Sequence, residues 1–444
     1  MRAALEGIGF GVVEGFYGRP WSFSARREVV ELLGELGLST YLYAPKSDPH
    51  HRARWWQTLP PGEASEMSRL AGVAADEGVR FIYGLSPERL FGAGNLRVRS
   101  ERDLDGEGMR RLLGRVRELM SFGVREIALS FDDTWPTLLP RLASHKKGRA
   151  HALIADEVAQ TSGAHVWLVP AVYFGRANEL PRGALSYLEG LSSVGRHKVA
   201  WTGPRIFSSF VASSDRLALE RATGAELWIW NNAIANDWLP MATGELIGLK
   251  GRERLVFGPI DNVAWEEIQS GHGLLLNGSR EVTTTKIALL TFAELLRCGR
   301  AYRSDLALDA AVTHLFGSEG AALSPLLELV RGHALVSPHV ASAPQTFDLV
   351  RRMRLGDRRA RAGLGDALRR LSTLDTQVEH ALAGQPALDE LRPTARKAAC
   401  SAAALAAALA GSPQALPLAR EAMRIPWVTA LDPALALAER GRFG

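Results

Sequence analysis

GMRRLLGRVRELM (residues 108–120) followed after a short break by VREIALSFDD (residues 124–133) decides the fold. The first stretch puts apolar residues at i, i+3, i+4 and i+7, the signature of one helix face. The second is a near-continuous apolar run that ends on two carboxylates. A strand covered on both faces has that composition, since neither face needs polar alternation.

The same pairing recurs on either side of this unit. The apolar runs are GFGVVEGF (9–16), STYLYAPK (39–46), VRFIYGLS (79–86), AHVWLVPAVYF (164–174), HKVAWTGP (197–204), AELWIWNN (225–232) and GLLLN (273–277). Helix-like segments such as SARREVVELLGELG and RAHALIADEVAQ lie between them. Eight β/α repeats of this length predict a (β/α)8 barrel over residues 1–300 rather than a doubly wound sheet. No G-x-G-x-x-G follows a strand, so dinucleotide binding has no support. VFGPI (256–260) is a spare apolar run, assigned to a loop or short strand. Further on, β-branched runs give way to Ala, Leu and Arg, as in ARKAACSAAALAAALAG. Pro393, Pro417 and the GSP of 411–413 are expected to break the helical periods, giving a C-terminal α-helical bundle over 301–444.

Composition narrows the function. Of 444 residues, 46% are apolar and 23% charged, ordinary for a soluble globular chain. No run of about 18 apolar residues is present, so no membrane span is expected. The opening MRAALEGIGFGVVEGFYG lacks the apolar core of an export signal, and a cytoplasmic location is expected. The two cysteines, Cys298 and Cys400, are expected as buried reduced thiols. The net charge of +5 comes from Arg residues scattered among acids, a solvated surface rather than a nucleic-acid site.

In a (β/α)8 barrel the chemistry sits at the C-terminal ends of the strands. The polar residues expected there are Glu14, Tyr17, Lys46, Asp48, Asp132, Asp133, Tyr173, Trp201, Trp230, Asn232, Asp237 and Asn277. Carboxylates, amides and aromatic faces together suit a sugar, whose hydroxyls take hydrogen bonds while its apolar face stacks on an indole. Asp132-Asp133 is the sharpest feature. Two adjacent carboxylates leaving a buried strand repel each other, and three readings are open: catalysis, capping of the next helix, or a Mg²⁺ site. Thr134-Trp135-Pro136 makes an immediate helix start awkward, and no third carboxylate lies nearby in sequence.

Five segments then settle into one pattern. GVVEGFYGRPW (11–21), YLYAPKSDPHHR (41–52), SFDD (130–133), WTGP (201–204) and WNNAIANDW (230–238) resemble, in order, the motifs of glycoside hydrolase family 84. That family holds bacterial β-N-acetylglucosaminidases and the catalytic domain of animal protein O-GlcNAcase. The resemblance covers residues 9–300 and implies a barrel followed by a helical region. It implies that Asp132 holds and polarises the substrate's 2-acetamido N–H and that Asp133 is the general acid/base. Gly15, Lys46 and Asn277 match positions that bind sugar hydroxyls. Tyr173 matches a tyrosine enclosing the acetamido group. Trp230, Asn232 and Asp237 match an aromatic wall, an amide near the acetamido group and a carboxylate on the 4- and 6-hydroxyls. Ser47 and Asn231 stand where the family commonly has Asp, Val172 where it has Glu, and Gly278 where it has Pro.

The implied reaction is retaining, exo-acting hydrolysis in which the 2-acetamido oxygen attacks C1, with no metal or organic cofactor. The implied substrate is a GlcNAc-containing glycoside or glycoprotein. The alternatives are a non-catalytic GlcNAc-binding protein and an endo-acting hyaluronan-degrading enzyme. The helical C-terminal domain is available as a homodimer interface.

Overall fold

The computed structural model describes residues 9–87, 106–132, 144–195, 197–240, 246–248, 253–331, 348, 352–353, 356–429 and 431–440. Eight parallel strands close a barrel: β1 (Phe10–Glu14), β2 (Thr40–Tyr43), β3 (Arg80–Leu85), β4 (Glu126–Ser130), β5 (His165–Val169), β6 (Lys198–Trp201), β7 (Glu226–Asn231) and β8 (Leu274–Asn277). Each neighbours the next, and β8 returns to β1 with Phe10 opposite Leu274 and Val13 opposite Asn277. All eight predicted runs contain one of these strands. VFGPI lies outside any strand.

A helix follows each strand in chain order: α1 (Phe23–Glu35), α2 (Pro61–Asp76), α3 (Glu107–Ser121), α4 (Ser144–Ser162), α5 (Arg182–Ser192), α6 (Ser213–Thr223), α7 (Trp265–Gln269) and α8 (Val282–Cys298). Helix α1 starts where the Ser22 hydroxyl accepts the Ala25 N–H at 3.2 Å, an N-cap. Helix α3 buries Met109, Leu112, Leu113, Val116 and Leu119, the stripe its sequence period predicts.

The barrel interior is filled by matching large against small. Ala128 of β4 is in register with Trp167 of β5, and Ala200 of β6 with Trp228 of β7. All four join Val13, Leu42, Ile82 and Leu275 in one buried cluster. Two indoles in one half of the barrel need two alanines beside them.

Side chains alternate along a strand, so Val13 facing inward turns Glu14 outward. This corrects the placement of Glu14 at the site. It is fully buried against α1, where Arg26 donates to both its oxygens at 2.8 and 3.0 Å. The Tyr41 hydroxyl (2.6 Å) and the Trp21 N–H (3.0 Å) also donate to it. Burial works against the Arg26 charge, but Glu14 more than offsets it and the guanidinium is held charged. Trp201, next to inward Ala200, also points away from the interior.

The chain forms two compact units, Met1–Ala233 with Asn262–Arg280, and Ile234–Asp261 with Glu281–Gly444. The expected division at residue 300 is drawn differently here, because α8 falls in the second unit. Its N-terminal amides explain why: Val282 and Thr283 donate to the Glu390 carboxylate at 3.0 and 2.8 Å, and Ile287 joins an apolar cluster with Leu255, Phe257 and the C-terminal leucines. Beyond α8 the described elements of that unit are mainly helical: α9 (Ser304–Phe316), α10 (Ser324–Arg331), α11 (Arg358–Leu371), α12 (Leu374–Ala381), α13 (Ala387–Leu409), α14 (Ala415–Arg424) and α15 (Asp432–Glu439).

Pro393 does not break its helix, contrary to the sequence expectation. It forfeits one amide donor inside α13, while buried Ala395, Ala398, Ala402 and Leu405 hold the rest in place. Pro417 lies in the first turn of α14, where an amide has no intrahelical partner anyway. Cys298 and Cys400 are free but only half-buried. No helix among the described residues is long and apolar enough to cross a membrane.

Removing Glu14 leaves a buried guanidinium without its counter-ion. Glu14→Ala is expected to lower the unfolding free energy by about 3–5 kcal/mol, measured by urea denaturation. A loss below about 1 kcal/mol would show that the pair does not anchor α1.

Candidate active site

Among the described residues, the loop after β2 bears the charged side chains Lys46, Asp48 and Arg52. Lys46, at its start, is buried and its ammonium pairs with Oδ2 of Asp132, the second residue after β4. From the same loop, Arg52 Nη2 donates at 3.2 Å to Asp132 Oδ1 and at 3.2 Å to the Asp132 backbone carbonyl. Its other terminal nitrogen, Nη1, donates to the Tyr17 hydroxyl in the loop after β1 at 2.9 Å. Burial alone would raise the Asp132 carboxyl. Lys46 and Arg52 outweigh it, holding the group below the usual carboxylate range and ionised at neutral pH.

His51, between these cations in sequence, is buried and stays neutral. Its Nδ1–H donates to the Gly84 carbonyl at 2.8 Å, and burial together with Lys46 lowers its pKa to about 3. A third positive charge beside Lys46 and Arg52 is thereby avoided.

On the other side of the barrel mouth, three strand ends share one hydrogen-bonded string. Gly15 N–H, after β1, donates to Asn277 Oδ1 of β8 at 3.1 Å. Asn277 Nδ2 donates to Asn232 Oδ1 at 2.9 Å, and Trp230 Nε1 of β7 donates to the same oxygen at 3.0 Å. Asn232 Nδ2 in turn donates to the Ile206 carbonyl at 2.8 Å. The Trp230 ring lies so close over Gly15 that a Cβ there would sit 2.3 Å from its Cζ2. Only glycine fits. Lys46 Nζ lies 5.4 Å from the Trp230 ring centroid, which joins the two sides of the mouth.

Tyr173 is half-buried in the loop after β5, and WTGP fixes that loop. The Thr202 N–H donates to the Tyr173 carbonyl at 2.7 Å, Trp201 Nε1 to the Gly175 carbonyl at 3.1 Å, and the Gly175 N–H to the Gly203 carbonyl at 3.0 Å. Trp201 therefore acts as an anchor for the loop after β5.

Of the nine predicted site residues, the structure brings Gly15, Lys46, Asp132, Trp230, Asn232 and Asn277 into one connected group. Tyr173 stands on the adjoining loop of the same unit. Asp237 is buried and belongs to the second unit. Asp133 lies outside the described residues. Sequence reasoning gave no role to Arg52, although it closes the motif YLYAPKSDPHHR. Asp48 is used inside its own loop, accepting from the Tyr43 hydroxyl at 2.7 Å and the His50 N–H at 2.8 Å. Among the described residues, no group of three or more His, Cys, Asp or Glu side chains is arranged to hold a metal ion.

A family model described as beta-N-acetylglucosaminidase matches residues 10–328, more than two thirds of the chain. The chain belongs to this family. Protein O-GlcNAcase of Rattus norvegicus is 29% identical over 292 residues, which are 64% of this chain and 29% of that protein. The mouse protein is 29% identical over 289 residues, with the same coverage. The matched segment thus spans under a third of these relatives. Two solved structures share the fold at 19% identity and a TM-score of 0.74: CpGH84B, covering 98% of this chain and 77% of that one, and a mutant Thermobaculum terrenum O-GlcNAc hydrolase, covering 97% and 93%.

Three of the positions where the resemblance led to the expectation of another residue have local explanations. The Ser47 hydroxyl accepts the Gly18 N–H at 3.0 Å, serving as the acceptor that a carboxylate would supply. Gly278 donates its N–H to the Val13 carbonyl at 2.9 Å, extending the β8–β1 ladder in a way proline could not. Asn231 exchanges amide hydrogen bonds with Asn262 at 2.9 and 3.2 Å, and Asn262 also donates to the Ser208 carbonyl at 3.0 Å.

Two outcomes are expected from this geometry. In Asn231→Asp, the Asn262 amide oxygen faces a carboxylate, and flipping that amide would turn its oxygen onto the Ser208 carbonyl. A loss of about 1–3 kcal/mol is expected in chemical denaturation, and an unchanged midpoint would contradict the exchange. For Asp132 the folded-state pKa lies below the unfolded value of about 3.9, so its contribution is fully present above that value. It is lost as pH falls through the folded pKa. The stability gap between the native protein and Asp132→Asn should be flat above about pH 5 and close on acidification. A gap that widens in acid would reverse the assignment.

Proposed function

We propose that this protein is a retaining exo-β-N-acetylglucosaminidase working by substrate assistance on O-GlcNAc-type glycosides. One observation carries the reading: Asp132 is held as a carboxylate between two cations at the end of β4. A group kept ionised is unsuited to giving a proton. It is suited to accepting the acetamido N–H and to stabilising the positive charge of an oxazolinium as it forms. Lone pairs remain on both oxygens, since each takes one side-chain donor from the protein.

In this mechanism the substrate's acetamido oxygen attacks C1, and the leaving oxygen takes a proton from Asp133. Water then attacks C1 from the face that the leaving group left, passing its proton to Asp133 as it does so, which opens the oxazoline with retention. Intramolecular attack has a high effective molarity once the amide is held in line. It also removes the need for the enzyme nucleophile of the two-carboxylate scheme. The Trp230 indole supplies a stacking wall. Asn232 and Asn277 each keep an amide proton for sugar hydroxyls beyond the hydrogen bonds above. Tyr173 is proposed to enclose the acetamido group. The roles of Asp133 and Asp237 rest on the resemblance alone. The O-GlcNAc substrate class is proposed from the names of the rat and mouse relatives.

Release of the chromophore from an aryl N-acetyl-β-D-glucosaminide tests the reaction. Asp133→Asn should lose on the order of 10²–10⁴-fold on glycosides with poor leaving groups and much less on activated aryl glycosides. Asp132→Asn should lose activity on both, because the acetamide must be oriented whatever departs. Binding of GlcNAc without any release would favour the non-catalytic reading. A covalent sugar trapped on Asp132 would rule out substrate assistance.

A further inference from the structure

The chain that leaves β5 and carries Tyr173 is anchored at every second residue. The Val169 carbonyl accepts the Phe131 N–H at 2.7 Å, and the Tyr173 carbonyl accepts the Thr202 N–H at 2.7 Å. Gly175 bonds to Gly203 and to the Trp201 indole. The remaining anchor is a side chain from a helix: the Ala171 N–H donates to the Tyr187 hydroxyl of α5 at 3.1 Å. That hydroxyl lies 2.7 Å from His151 Nδ1 of α4. Burial, with Lys147 adding to it, lowers the His151 pKa to about 3, so the ring is neutral and offers Nδ1 as an acceptor. Burial also keeps the Tyr187 phenol protonated. The hydroxyl therefore gives its proton to Nδ1 and turns a lone pair to the Ala171 N–H. The His151 ring is itself stacked on Phe131, with centroids 3.8 Å and planes 13° apart, and Phe131 immediately precedes Asp132.

The packing of α4 on α5 does not need this hydroxyl. The two helices already touch through glycines: a Cβ on Gly148 would sit 1.9 Å from the Tyr187 carbonyl oxygen, and one on Gly190 2.0 Å from that of His145. The polar pair adds direction to that contact, and the direction is toward the loop.

We propose that Tyr187 is a positioning residue, whose hydroxyl, aimed by His151, fixes Ala171 and with it the direction in which Tyr173 leaves the loop after β5. The inference rests on the proposed function, in which Asp132 and Tyr173 both meet the acetamido group. That group must be held in line with C1, so a slack loop lowers the effective molarity of the attack whatever departs. The sugar hydroxyls are assigned to other residues, so affinity should not follow.

The test compares Tyr187→Phe, His151→Asn and His151→Phe with the native protein on 2,4-dinitrophenyl and 4-methoxyphenyl N-acetyl-β-D-glucosaminides, at a temperature where circular dichroism shows each folded. In Tyr187→Phe, kcat should fall on the order of 10-fold on both glycosides, with KM unchanged. Asn at 151 carries Oδ1 at the same distance along the side chain as Nδ1, so His151→Asn should keep most of kcat. His151→Phe keeps a ring on Phe131 but offers no acceptor, and it should lose activity as Tyr187→Phe does. Hydrogen exchange gives a readout independent of activity: the Ala171 amide should exchange on the order of 10-fold faster in Tyr187→Phe than in the native protein.

A Tyr187→Phe protein that melts lower but keeps its native kcat would overturn the proposal. So would a loss confined to the 4-methoxyphenyl glycoside, which would tie the hydroxyl to leaving-group protonation, or an unchanged exchange rate at Ala171. If Tyr187→Phe does not fold, the His151 pair carries the same comparison, and equal kcat in His151→Asn and His151→Phe would overturn it. If the native protein released neither phenol, the proposed function would fall instead, and the Ala171 amide would still decide whether Tyr187 fixes the loop.

Discussion

The top of this barrel is organised by the need to keep one carboxylate ionised where almost no water reaches it. Burying Asp132 without compensation would protonate it or destabilise the chain. Lys46 and Arg52 prevent both outcomes, but only by drawing the loop after β2 across to the end of β4. That loop then needs its own supports, and the loop after β1 provides them through Phe16, Tyr17 and Gly18. The neutrality of His51 belongs to the same constraint. A protonated imidazole there would meet two cations, and the Gly84 carbonyl fixes the tautomer that avoids it. Gly84 lacks a side chain for a related reason: a Cβ would lie 2.8 Å from Ala44 and 3.1 Å from the His51 ring.

The opposite side of the mouth is built without charge. Gly15, Asn277, Asn232 and Trp230 come from β1, β8 and β7, which are adjacent around the barrel. Their hydrogen bonds therefore run laterally, from one strand end to the next. Neutral amides can be shared in this way at little desolvation cost, whereas a charged residue would need a partner for every position. One side of the mouth is thus electrostatically strong and the other a row of oriented dipoles. A ligand in the mouth thus meets an ionised carboxylate on one side and neutral hydrogen-bonding groups on the other.

The sequence made the barrel legible because its two periods are local. Continuous apolar runs and amphipathic helices can be recognised over about ten residues, and every predicted run contains a strand. What stayed hidden depends on direction. Glu14 and Trp201 sit near strand ends beside inward-facing neighbours, and the one-residue alternation that turns them outward only appears once the interior is known. Arg52 was overlooked for the opposite reason: it lies six residues beyond Lys46, in a loop with no period to place it. Pro393 misled because its cost is local, one missing amide, while the burial that outweighs it comes from packing on distant helices. The units divide within the β/α pattern for a similar reason. Helix α8 has the sequence of a barrel helix, but its N-terminus is capped by Glu390, more than a hundred residues away.

At three positions where the resemblance led to the expectation of another residue, the structure supplies a local hydrogen bond. Ser47, Asn231 and Gly278 each make a hydrogen bond through an atom the usual residue lacks or would use differently. Ser47 exchanges a carboxylate for a hydroxyl acceptor, which removes a negative charge next in sequence to Lys46. Asn231 gains a donor, and Asn262 can then be satisfied on its oxygen while its nitrogen serves Ser208 and Asn231. Gly278 restores an amide to the ladder closing β8 onto β1. In each case the compensation is completed within one or two residues of contact. None of the three alters the cations on Asp132 or the amides beside Trp230. The constraint on Asp132 is of another kind, because its two cations come from one loop that is itself pinned to a second. A change there cannot be absorbed by a neighbour, since no other cation among the described residues pairs with that carboxylate.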